Sequence, residues 1–458
     1  MNVVSRKEPW LLLLGDIVIF VVSLWLALFF RLGEIPANAL FMDLLLPFSI
    51  LFVVWCFIFF ISGLYEKHTI TFSNHLPSRV LNTQIFNCFL AVVFFYFVPY
   101  FGVTPKVILF IYIIISLPLI SIWRIYGQKI FGLKTREPAM ILGHGSELSF
   151  LLQEVNNNNR YGLNFVFSFD LDKLGNVDFQ KEIFEKIKSL NISVVVIDLQ
   201  NENLKKKLAN FYDLLFSKVR FVDIDNLYED IFDRVPLSLI SYGWFLQNVS
   251  LSQSVAYDVF KRITDIFFAF TLGILSLVLY PFIYLAIKLE DYGPVFITQE
   301  RLGKNNKLIK IVKFRTMSFN DNEEVKKISF DKTQDLRKIN KITKVGSFLR
   351  KSRLDEIPQL WNVWRGDLSL IGPRPELPAL AMIYEKEVPY YNVRHLITPG
   401  LSGWAQLYHE NHPHQGANTE ETKNKLSYDL YYVKNRSLML DLKIALKTIK
   451  AMLSQTGR

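Results

Sequence analysis

The chain has 458 residues and a formal net charge of +10, from 52 Lys and Arg against 42 Asp and Glu. That length exceeds one ordinary domain, and 51% apolar residues with a mean hydropathy of +0.22 exclude a fully soluble protein of this size. The basic balance calls for an anionic partner. With no aromatic-basic RNA motif and no zinc-ligand cluster, lipid headgroups and phosphorylated substrates are expected, and nucleic acid is not.

Four apolar runs open the chain, at residues 10–30, 44–64, 85–101 and 107–122. About 20 apolar residues cross a bilayer, and about 17 is the lower end. Four such runs in succession predict a four-helix transmembrane bundle over residues 1–130; the third, broken late by Pro99, carries the weakest signal. The run after Arg6 and Lys7 is too long for a cleavable signal peptide and lacks a small-residue cleavage site. Arg6 and Lys7 precede the first run, Lys67 and Arg79 lie in the second loop, and Arg124, Lys129, Lys134 and Arg136 follow the fourth. Positive charge favours the cytoplasmic side, so the amino terminus and everything after Arg124 are expected there. Cys56 and Cys88, the only cysteines, both lie in apolar runs, which argues against a disulfide framework.

Residues 137–245 alternate between strand and helix patterns. Strands are predicted at 139–142, 164–169, 193–199 and 220–224, with helices at 147–155, 179–190 and 203–216 between them. That order predicts a small parallel sheet with covering helices. Gly143 and Gly145 occupy the first turn, but Leu148 stands where a dinucleotide fingerprint has its third glycine. Asp170 ends the second strand, where a ribose-binding acid would sit. The favoured reading is a fold retained for packing, dimerisation or regulation.

A further oily run, 263–287, is entered through Lys261 and Arg262 and left through Lys288, with Pro281 deep in its second half. Proline bends or breaks a helix. Basic residues at both ends fit a segment that dips into the bilayer over about 259–288 and returns; a straight span kinked at proline is the alternative.

The chemistry concentrates in SRLDEIPQLWNVWRGDLSLIGPRPELP, residues 352–378. Asp355 and Glu356 precede Pro358, which suits a first helical turn, and Leu360, Val363 and Trp364 follow at helical spacing. Acids there are kept ionised by the helix start, which also attracts phosphate. An ionised carboxylate is a competent nucleophile toward phosphorus, and its neighbour can hold Mg²⁺. Arg350, Arg353, Lys313, Arg315 and Arg374 add cations suited to phosphate oxygens. Each feature alone is commonly structural. Together they point to phosphoryl chemistry at the inner membrane surface.

KFRTM, FLRKSRLDEIPQLWNVWRGDLSLIGPRPELP and ITPGLSGWAQ closely resemble the signature of bacterial monotopic phosphoglycosyl transferases. The order of segments resembles the large polyprenyl-phosphate hexose-1-phosphate transferases of exopolysaccharide and O-antigen synthesis. The resemblance implies four membrane helices, a degenerate Rossmann-like domain over 137–245, and a mixed α/β catalytic domain over 255–458 with a re-entrant helix. It implies that Asp355 attacks the β-phosphate of a UDP-sugar, that UMP leaves, and that undecaprenyl phosphate then takes the sugar phosphate. Glu356 becomes the Mg²⁺ ligand, Arg350 a phosphate contact, and Pro373-Arg374-Pro375 the uridine-nucleotide motif. Pro281 matches the break of the re-entrant helix, though Tyr280 stands where the family often has serine.

Two other readings remain at this point. One is a membrane-bound sugar-nucleotide dehydratase or epimerase, whose Tyr-x-x-x-Lys spacing Tyr257 and Lys261 reproduce without a complete glycine motif. The other is a non-catalytic scaffold for polysaccharide enzymes. The expected partners of the transferase are the UDP-sugar, undecaprenyl phosphate, the lipid bilayer and a second copy of the chain in a homodimer. His409, His412 and His414 cluster without a standard zinc spacing and read as a variable loop. The sugar is not legible.

Overall fold

The four apolar runs form helices α1 (Glu8–Leu32), α2 (Asn38–Ile61), α3 (Leu76–Phe97) and α4 (Lys106–Gly132). The computed structural model describes residues 8–65, 76–98, 106–132, 136–143, 145–158, 161–170, 179–199, 201, 219–249, 255–318, 342–408 and 419–453. All four helices are long and apolar enough to cross a membrane, and only 33–39% of each apolar window is buried. Their unburied faces are therefore themselves apolar, as lipid requires and water does not. The third helix starts well before its apolar run and ends at Phe97, two residues before Pro99. The residue preceding a proline is pushed out of the helical region, which sets that end.

Aromatic side chains fill the bundle, with Phe20, Phe48, Phe59 and Trp55 fully buried. One polar cluster interrupts it. Arg124 pairs with Asp16, both wholly buried, and its Nη1 donates to the Leu64 carbonyl at 2.6 Å. The Tyr65 hydroxyl donates to Asp16 Oδ2 at 2.6 Å, and the Arg124 guanidinium lies 4.7 Å from the Tyr65 ring centre. This cluster ties α1 to α4 and to the end of α2.

Next come β1 (Glu137–Gly143), α5 (Ser146–Asn157), β2 (Leu163–Asp170), α6 (Phe179–Ser189), β3 (Val194–Ile197), β4 (Arg220–Asp223) and α7 (Ile224–Phe232). The sheet is parallel throughout, in the order β2-β1-β3-β4. Every residue of β3 is buried, as are Ala139 to Leu142 in β1, because helices cover both faces of such a sheet. The winding reverses between β1 and β3, the strand order of a flavodoxin-like doubly wound sheet. At the first turn, a Cβ on Gly143 would meet Leu148 at 3.1 Å and Ile224 at 3.3 Å. Side chains of the protein itself occupy the space that a fingerprint glycine opens to a ligand. The helix expected at 203–216 lies outside the described residues.

The chain divides into two compact units, Met1–Asp230 and Ile231–Arg458. In the second, Val235, Ile240 and Trp244 pack on Ala381, Tyr384 and Leu426. Residues 231–245, grouped by sequence with the middle region, thus belong to the second core. α8 (Tyr242–Asn248) is followed by α9 (Val255–Ser276) and α10 (Tyr280–Asp291), which meet at a 60° bend. Pro281 lies in the first turn of α10, where a missing N–H costs no intrahelical bond. The rest comprises the antiparallel hairpin β5 (Phe296–Leu302) and β6 (Leu308–Phe314), α11 (Lys344–Lys351), α12 (Gln359–Arg365), β7 (Ser369–Ile371) and α13 (Pro378–Glu387). Then follow β8 (Gly400–Ser402), α14 (Trp404–Tyr408), α15 (Thr419–Lys434) and α16 (Leu438–Leu453). Short parallel strands β7 and β8 touch so closely that a Cβ on Gly400 would lie 2.1 Å from Gly372 N.

Breaking a buried ion pair by removing one partner costs about 3–5 kcal/mol, whereas replacing both can be neutral. Arg124→Met should therefore destabilise the helical bundle by about that amount, and adding Asp16→Leu should restore most of the loss. Thermal denaturation of the detergent-solubilised single and double variants measures the difference.

Candidate functional site

Asp355 and Glu356 lie in a single 3₁₀ turn, Leu354–Glu356, between α11 and α12. Arg353 precedes it in the left-handed region (φ 54°), which turns the chain sharply enough to lift both acids out of α11. The start of α11 is fixed from two sides. Thr343 Oγ1 accepts from Gly346 N at 2.9 Å, and Glu290 of α10 accepts from Lys344 N at 2.6 Å and Val345 N at 3.1 Å.

Glu356 is the hub of the site. Its Oε1 accepts from Arg374 Nη2 at 2.8 Å, and Lys313 Nζ lies 3.6 Å from the same oxygen. Burial alone would raise its pKa, but Arg374 and Lys313 outweigh burial and bring it down to about 2. Asp355 moves the other way: burial and then the Glu356 charge raise it, against the pull of Lys313, Arg350 and Arg374. Neighbouring carboxyl groups are thus driven apart, Glu356 held as an anion and Asp355 raised. Burial, followed by repulsion from Arg374, lowers Lys313 to about 8.

Three elements bring these cations together. Register in the hairpin pairs Ile297 with Lys313, Gln299 with Ile311 and Arg301 with Ile309, so Gln299, Arg301 and Lys313 share one face. Asn362 of α12 binds the other side of β6, accepting from Val312 N at 3.2 Å and donating to Lys310 O at 2.7 Å. That amide sets β6, and with it Lys313, beside the acid turn. Arg350 donates from Nε to Thr316 Oγ1 at 2.8 Å, which anchors its guanidinium near Asp355.

Pro373-Arg374-Pro375 is held as backbone. Arg394 Nη2 donates to the Arg374 carbonyl at 2.9 Å, and Arg301 Nη1 to that of Pro375 at 3.4 Å. Arg394 is itself buried, with Asp429 at 2.8 Å and the Tyr391 hydroxyl at 2.8 Å. Glu376 closes the network through Lys425 at 3.1 Å, Arg301 at 3.7 Å and Arg394 at 3.9 Å. Burial would raise the Glu376 carboxyl, but Lys425, Arg394 and Arg301 hold it at about 2.

Of the residues singled out by sequence, Asp355, Glu356, Lys313, Arg350 and Arg374 converge, and Arg353 adds its charge to Glu356. Arg315 does not join them. Its Nε donates to Pro294 O at 2.6 Å and its Nη1 to Met317 O at 3.0 Å, so it props the end of β6. Tyr257 and Lys261, the spacing shared with dehydratases, both spend their polar atoms on Asp441, at 2.8 and 2.9 Å. His409, His412 and His414 lie outside the described residues. Sequence reading missed Arg301, Asn362, Glu376, Arg394 and Asp429. Only Arg301 left a trace, at an inward position of the alternating strand FITQERL.

Paired carboxylates inside a group of fixed cations suit a ligand that carries phosphate. Residues 256–455 match the bacterial sugar transferase family. The chain is 36% identical over 274 residues to the UDP-N-acetylgalactosamine-undecaprenyl-phosphate N-acetylgalactosaminephosphotransferase of Aeromonas hydrophila, covering 59% of this chain and 61% of that one. It is 37% identical to the UDP-glucose:undecaprenyl-phosphate glucose-1-phosphate transferase of Caulobacter vibrioides, over 44% of this chain and 72% of that protein. With the exopolysaccharide production protein PSS of Rhizobium leguminosarum the identity is 36%, over 43% of this chain and 96% of that one. The chain belongs to the bacterial sugar transferase family.

A carboxylate whose pKa falls on folding stabilises the fold above its ordinary pKa and loses that contribution as pH drops through the folded value. For Glu376 the window runs from 4.5 down to about 2, corresponding to about 3 kcal/mol. Glu376→Gln should lower stability at neutral pH by about that amount and flatten the acid-side decline. Denaturant titrations of both proteins at neutral pH and at pH about 3 test this.

Proposed function

We propose that this protein transfers a sugar-1-phosphate from a UDP-sugar to undecaprenyl phosphate through a phospho-aspartate at Asp355, releasing UMP, in exopolysaccharide, capsule or O-antigen synthesis. The observation that carries this reading is the divergence of the acid pair: Glu356 locked to Arg374 and Lys313, Asp355 beside it with a raised pKa. The names of the Aeromonas and Caulobacter relatives supply the donor and acceptor classes.

In the first step a carboxylate oxygen of Asp355 attacks the β-phosphorus of the donor. The bond from that phosphorus to the bridging oxygen breaks, and UMP departs with the electron pair. In the second step an oxygen of undecaprenyl phosphate attacks the same phosphorus, and Asp355 leaves as a carboxylate. One phosphoanhydride is exchanged for an acyl phosphate and then for another phosphoanhydride, so both steps are reversible. Lys313, Arg350, Arg353 and Arg374 face two acids, an excess of positive charge that a diphosphate matches.

Mg²⁺ fits this site on one condition. Among the described residues no group of three or more His, Cys, Asp and Glu could hold a metal. Mg²⁺, however, commonly binds through one or two carboxylates plus substrate phosphates. Glu356 would supply the protein oxygen, and the surrounding cations disfavour the ion unless the diphosphate accompanies it. When bound there, the ion neutralises charge on the phosphate oxygens.

The bent pair α9–α10 is read as re-entrant, entering the cytoplasmic leaflet of the bacterial inner membrane and returning. Both of its ends are tied to the same catalytic unit. Arg262 of α9 donates to Val363 O and Trp364 O at 2.7 Å each, and Glu290 of α10 caps α11. Leu275, Leu277, Val278 and Phe282 at the bend are all exposed, an apolar tip that water disfavours. The doubly wound middle region is read as a degenerate Rossmann-like domain whose first glycine serves packing.

Asp355→Asn should abolish UMP release while leaving a folded, membrane-bound protein. Radiolabelled UDP-sugar without acceptor should leave hydroxylamine-sensitive label on the wild-type protein and none on the variant. Turnover by the variant at the wild-type rate would exclude Asp355 as nucleophile. The pH profile follows from the same groups. The rate kcat/KM should rise as Asp355 ionises, at a pH above the ordinary aspartate value, and fall as Lys313 loses its proton near about 8. Lys313→Arg should move only the alkaline limb upward.

A further inference from the structure

Apart from the acid turn, the catalytic unit contains a cavity of about 220 Å³ beneath the first turns of α9. Asp258, Lys261, Arg262 and Asp265 line one side of it, at the spacing of a single helix face. Lys304, from the β5–β6 turn, and Arg436 are the other charged residues that line it, and the remaining lining, Tyr432 and Ser369 among it, is uncharged. None of the residues assigned above to the reacting phosphates lines it.

The charges in this cavity do not balance. Lys261 is matched by Asp441 at 2.9 Å, and Arg436 by Asp258 at 3.1 Å. Asp265 Oδ1 accepts from Leu370 N at 3.1 Å, and its carboxylate also feels the Lys261 charge. The hydrogen bonds of Arg262 go to the neutral carbonyls of Val363 and Trp364, which leave its charge uncompensated. Lys304 is exposed and pairs with no acid among the described residues. A cavity with two such cations selects an anion, and guanidinium and ammonium groups together suit phosphate oxygens.

Its position narrows the source. α9 exposes Val255, Val259 and Phe260 before Lys261 and Arg262, and Phe267, Phe268 and Phe270 after them, so this basic pair is set into an exposed apolar face. Basic residues within an apolar face that meets a bilayer lie in the headgroup layer. We propose that this cavity binds the phosphate of an anionic phospholipid headgroup, distinct from either substrate, and so fixes the depth of the catalytic unit on the membrane. The inference rests on the reading that α9–α10 enters the bilayer.

The test uses the full chain carrying Asp355→Asn in a neutral detergent, titrated separately with short-chain phosphatidylglycerol, short-chain phosphatidylcholine and inorganic phosphate, with binding read by native mass spectrometry. Phosphatidylglycerol should bind saturably and at least tenfold more tightly than phosphatidylcholine. Lys304→Glu, a surface change, should weaken it tenfold or more, and so should Arg436→Gln. In the chain with Asp355 intact, Lys304→Glu should retain UMP release in detergent, which certifies the fold. Phosphatidylglycerol binding unchanged in both variants would overturn the site. Inorganic phosphate binding as tightly as the lipid would overturn the lipid assignment. Because turnover is not needed, saturable lipid binding that Lys304→Glu removes would support the site even if Asp355 proved not to be the nucleophile.

Discussion

A carboxylate can be both buried and charged only where cations repay its lost hydration. Glu356 meets that condition through Arg374 and Lys313, and much of the second unit serves to keep those two cations in reach. Lys313 comes from a hairpin whose edge is clasped by Asn362. Arg374 comes from a proline-bounded segment whose carbonyl is gripped by Arg394, which is neutralised in turn by Asp429. Loss of any one contact would leave a charge without its counterpart in a poorly hydrated place. The ion network therefore sets geometry as well as contributing to stability. Glu356, pinned as an anion, adds to the burial that raises the pKa of Asp355, so two adjacent carboxyl groups are held in different electrostatic states.

The bent helix pair is built into the same framework. Arg262 covers the carboxyl end of α12, the helix that immediately follows the acid turn. Asp265 accepts from the backbone of β7, and Glu290 caps the helix that leads into the acid turn. The segment that carries the exposed apolar bend thus touches the reactive turn from before and from behind.

Periodic features of this chain were legible and non-periodic ones were not. Four long apolar runs and the alternation of strands with helices in the middle region are properties of local sequence; β1 to β4 appear within a few residues of their expected places, whereas α3 begins well before its apolar run and the helix expected at 203–216 lies outside the described residues. The acid pair and PRP segment announce themselves through proximity in sequence. Arg394, Asp429 and Glu376 do not, because their ion-pair partners lie between 18 and 75 positions away along the chain and each residue alone resembles a solvated surface charge. Arg315 misled for the complementary reason. A basic residue two positions from Lys313 looks like part of the same cluster, yet the chain leaves β6 between them and turns its guanidinium to the carbonyls of Pro294 and Met317. The lower boundary of the second core was hidden as well, since only tertiary packing brings Trp244 and Val235 against Leu426.

An excess of fixed cations also bears on why the proposed reaction proceeds in two steps. Donor and acceptor both present phosphate, and one ring of basic residues around one carboxylate cannot hold a diphosphate and a second phosphate in line at once without overfilling its positive charge. If the sugar phosphate is parked on Asp355, UMP can carry its own charge away before the acceptor arrives, and the same cations then serve the second phosphate. A covalent intermediate thus halves the charge that the site must balance at any moment. It also removes the need to recognise a water-soluble nucleotide and a membrane-bound lipid simultaneously, from opposite sides of an interface. A carboxylate with a raised pKa suits that part: it is the more nucleophilic when ionised, and the charges of Lys313, Arg350 and Arg374 stabilise it as it leaves when the acceptor attacks.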